Sequence, residues 1–422
     1  MRMPKTLKPL FVGCCGIVLI ALLAACQASA PHEQATVPAT TTSPENPTTD
    51  TLASRIDHYV REHYPQFSGT ILVAQKDHGL MSQGYGLANR ELDVPNTPQT
   101  KFAIGSITKS FTAMAIMILQ ERGKLTVQDS ICQYLPECPP AWQPVTLQHL
   151  LTHTSGIPNY MEEYRQLKDH ANPCREYKPE EVIASFKDLP LDFTPGSRWR
   201  YSNSGYFLLG TVIERVSGQS YETFIQTNIL QPLEMTETGY NRASTIVPYR
   251  ASGYSMDQVH DQLVNALCMD VSLDYAAGGL YSTVGDLYKW DQALYTDRLV
   301  PQETLGTLFT STVSFISSTA GESWYGYGWE ISQQSGHRVI WHSGMVWGFV
   351  SDLARYPDDR LTIIVLSNVD TSNVIQVGRE LAEIVFSEFR HSSRALNHAL
   401  RPQTSAARGE RAADAIFFVV LQ

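Results

Sequence analysis

The sequence predicts an α+β (mixed α/β) fold: an antiparallel sheet of N- and C-terminal strands flanked by terminal helices, with a large, mainly helical region inserted. Three observations carry this expectation. Strand-like runs occur at 68–74 and 79–88, then return only from Tyr325 onward, at 325–332, 338–342, 348–355 and 361–367. Helical patterns and loops dominate from Leu125 to about Ala320. A helix apolar on nearly all sides follows Phe102-Ala-Ile-Gly-Ser-Ile-Thr-Lys109 and belongs in a core.

The 422 residues, 43% hydrophobic and 18% charged, suffice for a sizeable core in two or three lobes. The formal net charge is −10, and removing Arg2, Lys5 and Lys8 with the leader leaves 29 basic against 42 acidic side chains. With no basic stripe, nucleic acid is not an expected partner.

The chain opens with those basic residues, then the apolar run 10–25, ending Leu23-Ala-Ala-Cys26. These are the three parts of a secretory signal. The segment resembles a bacterial lipoprotein signal, which implies cleavage after residue 25 and lipid on Cys26. The alternative is a plain membrane anchor, for which the run is short. The lipoprotein reading places the protein in the cell envelope, held on a membrane surface by acyl chains with its domain outside the cell membrane. Residues 26–50, rich in Thr, Pro, Ala and Ser, read as a flexible tether.

The domain proper is expected over 51–390. A first helix carries Leu52, Ile56, Tyr59 and Val60 on one face. After a loop at 90–101, the apolar helix runs to Leu119 and stops at Gly123. A second clear helix spans 206–216 and stops at Gly218, and a last one covers about 373–389. Residues 391–422 read as a disordered tail with an apolar tip. Of seven cysteines, Cys132, Cys138, Cys174 and Cys268 lie in the domain. Cys132 and Cys138 flank a turn and are the expected disulfide, with four free buried thiols as the alternative. Their spacing lacks a CxxC pair, so a zinc site is not expected; the expected set of cofactors and metals is none.

Ser106 and Lys109 stand one helical turn apart, on one face. A desolvated lysine there would have a lowered pKa and could act as a base toward the serine. Taken alone, the pair also fits an N-cap serine beside a solvated lysine. Two further stretches favour chemistry. Tyr201-Ser-Asn203 offers a phenol and a carboxamide two residues apart in a loop. Trp341-His-Ser-Gly344 lies at the end of an expected edge strand, where backbone N–H groups could meet an extended substrate.

In this order, Ser106-x-x-Lys109, Tyr201-x-Asn203 and His342-x-Gly344 resemble the three motifs of the serine beta-lactamase and penicillin-binding family, in its class C, D-alanyl-D-alanine carboxypeptidase, D-aminopeptidase and esterase branch. His149-Leu-Leu-Thr-His-Thr-Ser-Gly-Ile157, Pro232-Leu-Glu-Met235 and Gly278-Gly-Leu-Tyr-Ser-Thr283 are similar to it as well, and the likeness covers about 52–390. The resemblance implies a beta-lactamase/transpeptidase-like fold with Ser106 as the acylated nucleophile and Lys109 as the group that takes or relays its proton. Tyr201 would be base and acid on the opposite wall, and Asn203 would hold lysine and substrate. The backbone N–H groups of Ser106 and Met345 would form the oxyanion hole, and His342, Ser343 and Gly344 would line the substrate strand.

Many true beta-lactamases have lysine at the position of His342. The implied activity is therefore hydrolysis of D-amino-acid (D-Ala-D-Ala-type) peptides or small esters through an acyl-serine, with at most weak beta-lactamase activity. The alternatives are a penicillin-binding sensor without turnover and a true class C-like beta-lactamase. The expected partner is a small-molecule or peptide substrate, peptidoglycan-derived in the first reading, and the expected state is a monomer. His149 and His153 have the i, i+4 spacing of a metal pair but lack the glutamate of a zinc-protease motif, and are expected to cap and stabilise their loop. Asp286 and Asp291 read as helix-start and surface acids.

Overall fold

The computed structural model describes residues 51–76, 78–162 and 174–399, with side chains as far as residue 388. The leader, the tether, Cys26 and the apolar tip lie outside the described residues. Among the described residues, no helix is long and apolar enough to cross a membrane.

The framework is an antiparallel sheet of eight strands among the described residues: β1 (Gly69–Gln75), β2 (His78–Tyr85), β3 (Val313–Ser317), β4 (Gly321–Tyr325), β5 (Glu330–Gln334), β6 (His337–Val346), β7 (Phe349–Tyr356) and β8 (Leu361–Ser367). Their order is β3-β4-β5-β6-β7-β8-β1-β2. The N-terminal strand β1 therefore pairs with the last strand β8, Gly69 opposite Ser367 and Gln75 opposite Leu361. Every residue of β1 and β8 is buried, because both faces of the sheet are covered.

On one face lie helix α1 (Leu52–His63), capped by Thr51, and the C-terminal helix α4 (Val374–Ala399), which contribute Ile56, Val60, Val377, Leu381 and Val385 to one apolar cluster. On the other face lies the helical region. There α2 (Thr108–Glu121) is buried at every position from Thr108 to Leu119, beside α3 (Asn203–Ser217). Burying a Leu, Ile or Val side chain in such a core contributes about 1.5–3 kcal/mol. Gly123 ends α2 with φ +64°, its N–H bonded to Gln120 and that of Lys124 to Leu119, so two otherwise orphaned carbonyls are satisfied.

Several boundaries differ from expectation for identifiable reasons. The single strand expected over 79–88 breaks at Gly86, whose φ of +60° turns the chain. The one expected over 325–332 breaks between Tyr325 and Glu330, where Gly328 (φ +76°) seats a turn directly on α2. A Cβ at Gly328 would lie 2.7 Å from the Lys109 carbonyl oxygen. Strand β3 lies inside the stretch expected to be helical and β4 begins just after it; β3 is a partly exposed edge strand with a weak period-2 signal. The last helix runs on to Ala399, since neither glycine nor proline interrupts it before Pro402. Asp291 is not at the surface: it is fully buried, its carboxylate 2.8 Å from Arg355 Nε, a partner 64 residues away. Bridges join Cys132 to Cys138 and Cys174 to Cys268.

Candidate active site

Ser106 does not sit on α2 itself but on a single 3-10 turn, Gly105–Ile107, that leads into it. Before the turn, Phe102 and Ala103 pair with Ser282 and Tyr281, which anchors the approach. Gly105 takes φ +50°, and a Cβ there would lie 2.7 Å from the Met345 backbone nitrogen. A Cβ on Gly344 would lie 2.0 Å from the Ile104 carbonyl oxygen. Two glycines thus let the serine turn and β6 meet backbone to backbone, which brings Met345 N–H beside the serine. The Ser351 hydroxyl donates to the same Ile104 carbonyl at 2.8 Å.

β6 is an interior strand rather than the expected edge strand. Its pairing with β5 ends at Glu330–Trp341, however, while pairing with β7 continues to Val346. From His342 onward, its β5 side is unpaired by the sheet and faces the cleft.

Lys109 is fully buried. Its Nζ lies 2.8 Å from Asn203 Oδ1, 2.7 Å from the Ala277 carbonyl and 3.0 Å from Ser106 Oγ. Burial lowers its pKa to about 7, with Asp274 opposing the shift. A neutral amine carries two hydrogens and one lone pair. The two carbonyl acceptors take both hydrogens, and the lone pair is left for the serine hydroxyl. Asn203 is held in turn by Asn159, whose Oδ1 accepts the Asn203 N–H at 3.2 Å. The Tyr201 ring lies 4.9 Å from Lys109 Nζ. Burial pushes its phenol well above the usual value despite a hydrogen bond with Ser106, so the group is protonated at neutral pH.

His342 is buried, and both ring nitrogens are engaged. Nδ1 lies 2.6 Å from the Ser343 carbonyl, to which it must donate. Nε2 therefore accepts from the Tyr325 hydroxyl, 2.9 Å away. Burial and the nearby Lys109 lower its pKa to about 3. The imidazole is neutral and offers the cleft no free donor.

The cleft encloses about 470 Å³. Ser106, Tyr201, Asn203, His342, Ser343 and Met345 all line it. Sequence reasoning missed Asn159, Asp274, Glu330 and Trp347, which also line it, and the Ala277 carbonyl that binds the lysine. Asn159 and Ala277 lie within or beside stretches singled out by motif, whereas Glu330 and Trp347 had no local signal. Burial raises Glu330 to about 7 and Asp274 to about 6. Glu162 and Asp370 add two more acids to the wall. Tyr325 is buried and also reaches the site through His342. His149 Nδ1 accepts from Thr146 N–H and His153 Nδ1 from Ser202 N–H, so each fastens a loop.

A family model described as Beta-lactamase matches residues 55–385. Penicillin-binding protein 4* of Bacillus subtilis (strain 168) is 33% identical over 318 residues, which cover 72% of this chain and 68% of that protein. The penicillin binding protein from Bacillus halodurans superposes with a TM-score of 0.69 at 31% identity, over 78% of this chain and 98% of that one. The octameric penicillin-binding protein homologue from Pyrococcus abyssi gives 0.71 at 31% identity, over 79% and 77%.

Proposed function

Because the chain belongs to the beta-lactamase family and is a serine hydrolase of that fold, we propose that Ser106 is acylated by an amide or ester and that Lys109 is the base that activates it. The supporting observation is the lysine's bonding. With both hydrogens of a neutral amine bound to Asn203 Oδ1 and the Ala277 carbonyl, its lone pair faces Ser106 Oγ. Ser106 Oγ attacks the carbonyl carbon while its proton passes to Lys109 Nζ. The resulting oxyanion is held by the N–H groups of Ser106 and Met345, donors of a kind worth about 3–4 kcal/mol each. Tyr201, protonated at neutral pH, gives its proton to the leaving nitrogen or oxygen and is recharged from Lys109. Collapse breaks the scissile bond and leaves the acyl-serine, which water hydrolyses by the same path in reverse.

The substrate is a D-amino-acid amide, peptide or small ester without a carboxylate at the third-motif wall. His342 is neutral and fully engaged, and the cleft is lined by Glu162, Asp274, Glu330 and Asp370. A D-Ala-D-Ala terminus or a beta-lactam would bring a carboxylate to a wall where no arginine or lysine lines the cleft among the described residues. The protein is exported and held at the membrane through lipid on Cys26.

A fluorophosphonate probe should label the wild-type protein and not Ser106→Ala; equal labelling of both would refute the assignment. In a panel of D-amino-acid amides, p-nitrophenyl esters, a D-Ala-D-Ala peptide and nitrocefin, the first two classes should turn over fastest. Efficient nitrocefin hydrolysis would reverse the substrate reading. Cys26→Ser should move the protein from the membrane to the soluble fraction; retention in the membrane would reject the lipid anchor.

A further inference from the structure

We propose that His153 is the positioning residue for Tyr201, gripping the chain on both sides of the phenol and packing against its ring. The Arg200 N–H donates to the His153 carbonyl at 3.0 Å, and the Ser202 N–H donates to His153 Nδ1 at 3.2 Å. The residues before and after Tyr201 are thus fastened to one histidine 48 positions upstream. The ring completes the grip: its centroid lies 4.3 Å from that of Tyr201, with Tyr325 at 4.6 Å and Tyr206 at 5.2 Å.

Other features of His153 fit this role. Its backbone adopts φ +58°, a conformation that non-glycine residues rarely take and that functional sites commonly retain. This turn lets one residue present both its carbonyl and its ring to the segment that carries Tyr201. The side chain is buried, and Nδ1, as an acceptor, leaves the hydrogen on Nε2. That N–H has no hydrogen-bond partner among the described residues and lies among aromatic rings. A buried donor left unpaired costs stability. An aliphatic side chain would avoid that cost, but it would provide neither the acceptor for Ser202 nor the flat surface for Tyr201. The role is distinct from base chemistry, because the ring touches neither Ser106 nor Lys109 by hydrogen bond and its Nδ1 is already occupied.

The inference rests on the proton-donor role proposed for Tyr201 and is tested by two variants and a double-mutant cycle. His153→Asn tolerates positive φ and keeps an acceptor near the position of Nδ1 but removes the ring. His153→Phe keeps a ring and removes the acceptor. With a p-nitrophenyl ester, His153→Asn should lower kcat by about 10²-fold, the scale of loss when a catalytic group is misplaced by about 1 Å, with KM changed by less than about threefold. In a Tyr201→Phe background the same substitution should cost less than about twofold, since its effect passes through the phenol.

Wild-type kcat in both variants would overturn the proposal, as would the full loss persisting without the phenol. If neither variant shows a cooperative melt, the residue is a fold determinant and the proposal is equally overturned. Failure of the parent reading looks different: Tyr201→Phe alone would then keep the wild-type kcat, whatever the His153 variants do.

Discussion

The pKa of Lys109 should appear directly in the rate of serine acylation. An ordinary lysine, with a pKa near 10.4, would be neutral in only about one molecule in 2,500 at pH 7. Burial brings Lys109 to about 7, so about half the molecules carry a free amine at that pH. The buried site therefore enriches the competent base by about 10³-fold. The rate constant for labelling by an uncharged fluorophosphonate should fall about tenfold per pH unit below 7 and level off above it. Lys109→Arg preserves charge but holds its proton above pH 12, so its residual rate should show no inflection near 7. A wild-type profile that is flat from pH 5.5 to 8.5, or that rises only above 9, would refute the lysine as base.

The same shift acts on stability. The folded pKa lies below the unfolded value, so the unfolded chain binds the extra proton between about 7 and 10.5. The penalty for burying the ammonium, on the order of 5 kcal/mol, is fully present below pH 7 and is relieved as pH rises through that window. The stability of wild-type protein relative to Lys109→Met should therefore improve from pH 7 to 10 and stay constant below 7.

Two further substitutions test what holds the site in place. Gly344→Ala would set a Cβ 2.0 Å from the Ile104 carbonyl and 2.5 Å from Ser351 Oγ, forcing β6 away from the serine turn. Labelling should slow by at least about 10²-fold, in line with loss of one oxyanion donor; a wild-type rate would mean the close approach is dispensable. Asp291→Ala would strand the Arg355 guanidinium, 2.8 Å away and buried, and remove the acceptor of the Thr362 hydroxyl. Urea unfolding should show a loss of about 3–5 kcal/mol, and a loss under about 1 kcal/mol would show that the pair is solvated.

What could be read in the sequence follows the range of each interaction. Ser106 and Lys109 are one turn apart, so helix geometry alone relates them. The stops at Gly123 and Gly218 are local too, both realised as positive-φ residues. The pairing of the first strand with the last followed from where strand-like runs cluster. Asp291 was misjudged because its only cue was a local helix pattern, while Arg355 reaches it from a strand 64 residues on. The edge character of β6 changes halfway along, at the point where β5 ends, and no property of His342-Ser-Gly344 encodes where a neighbouring strand stops.

His342 marks the limit most clearly. Its identity, against the lysine of many relatives, was enough to lower the expectation of carboxylate binding. Whether the imidazole was a donor to substrate could not be read, because that depends on Tyr325, 17 residues earlier, occupying Nε2. With both nitrogens committed and the ring neutral, the residue works as a rigid spacer that supports Ser343 and Tyr325. On the proposed reading, charge selection in the cleft then falls to Glu162, Asp274, Glu330 and Asp370, none of which a motif singled out. Recognition of the proposed chemistry is local in this chain, and recognition of the substrate is not: the proposed nucleophile and base lie within four residues, while the other groups that line the cleft are spread from Asn159 to Asp370.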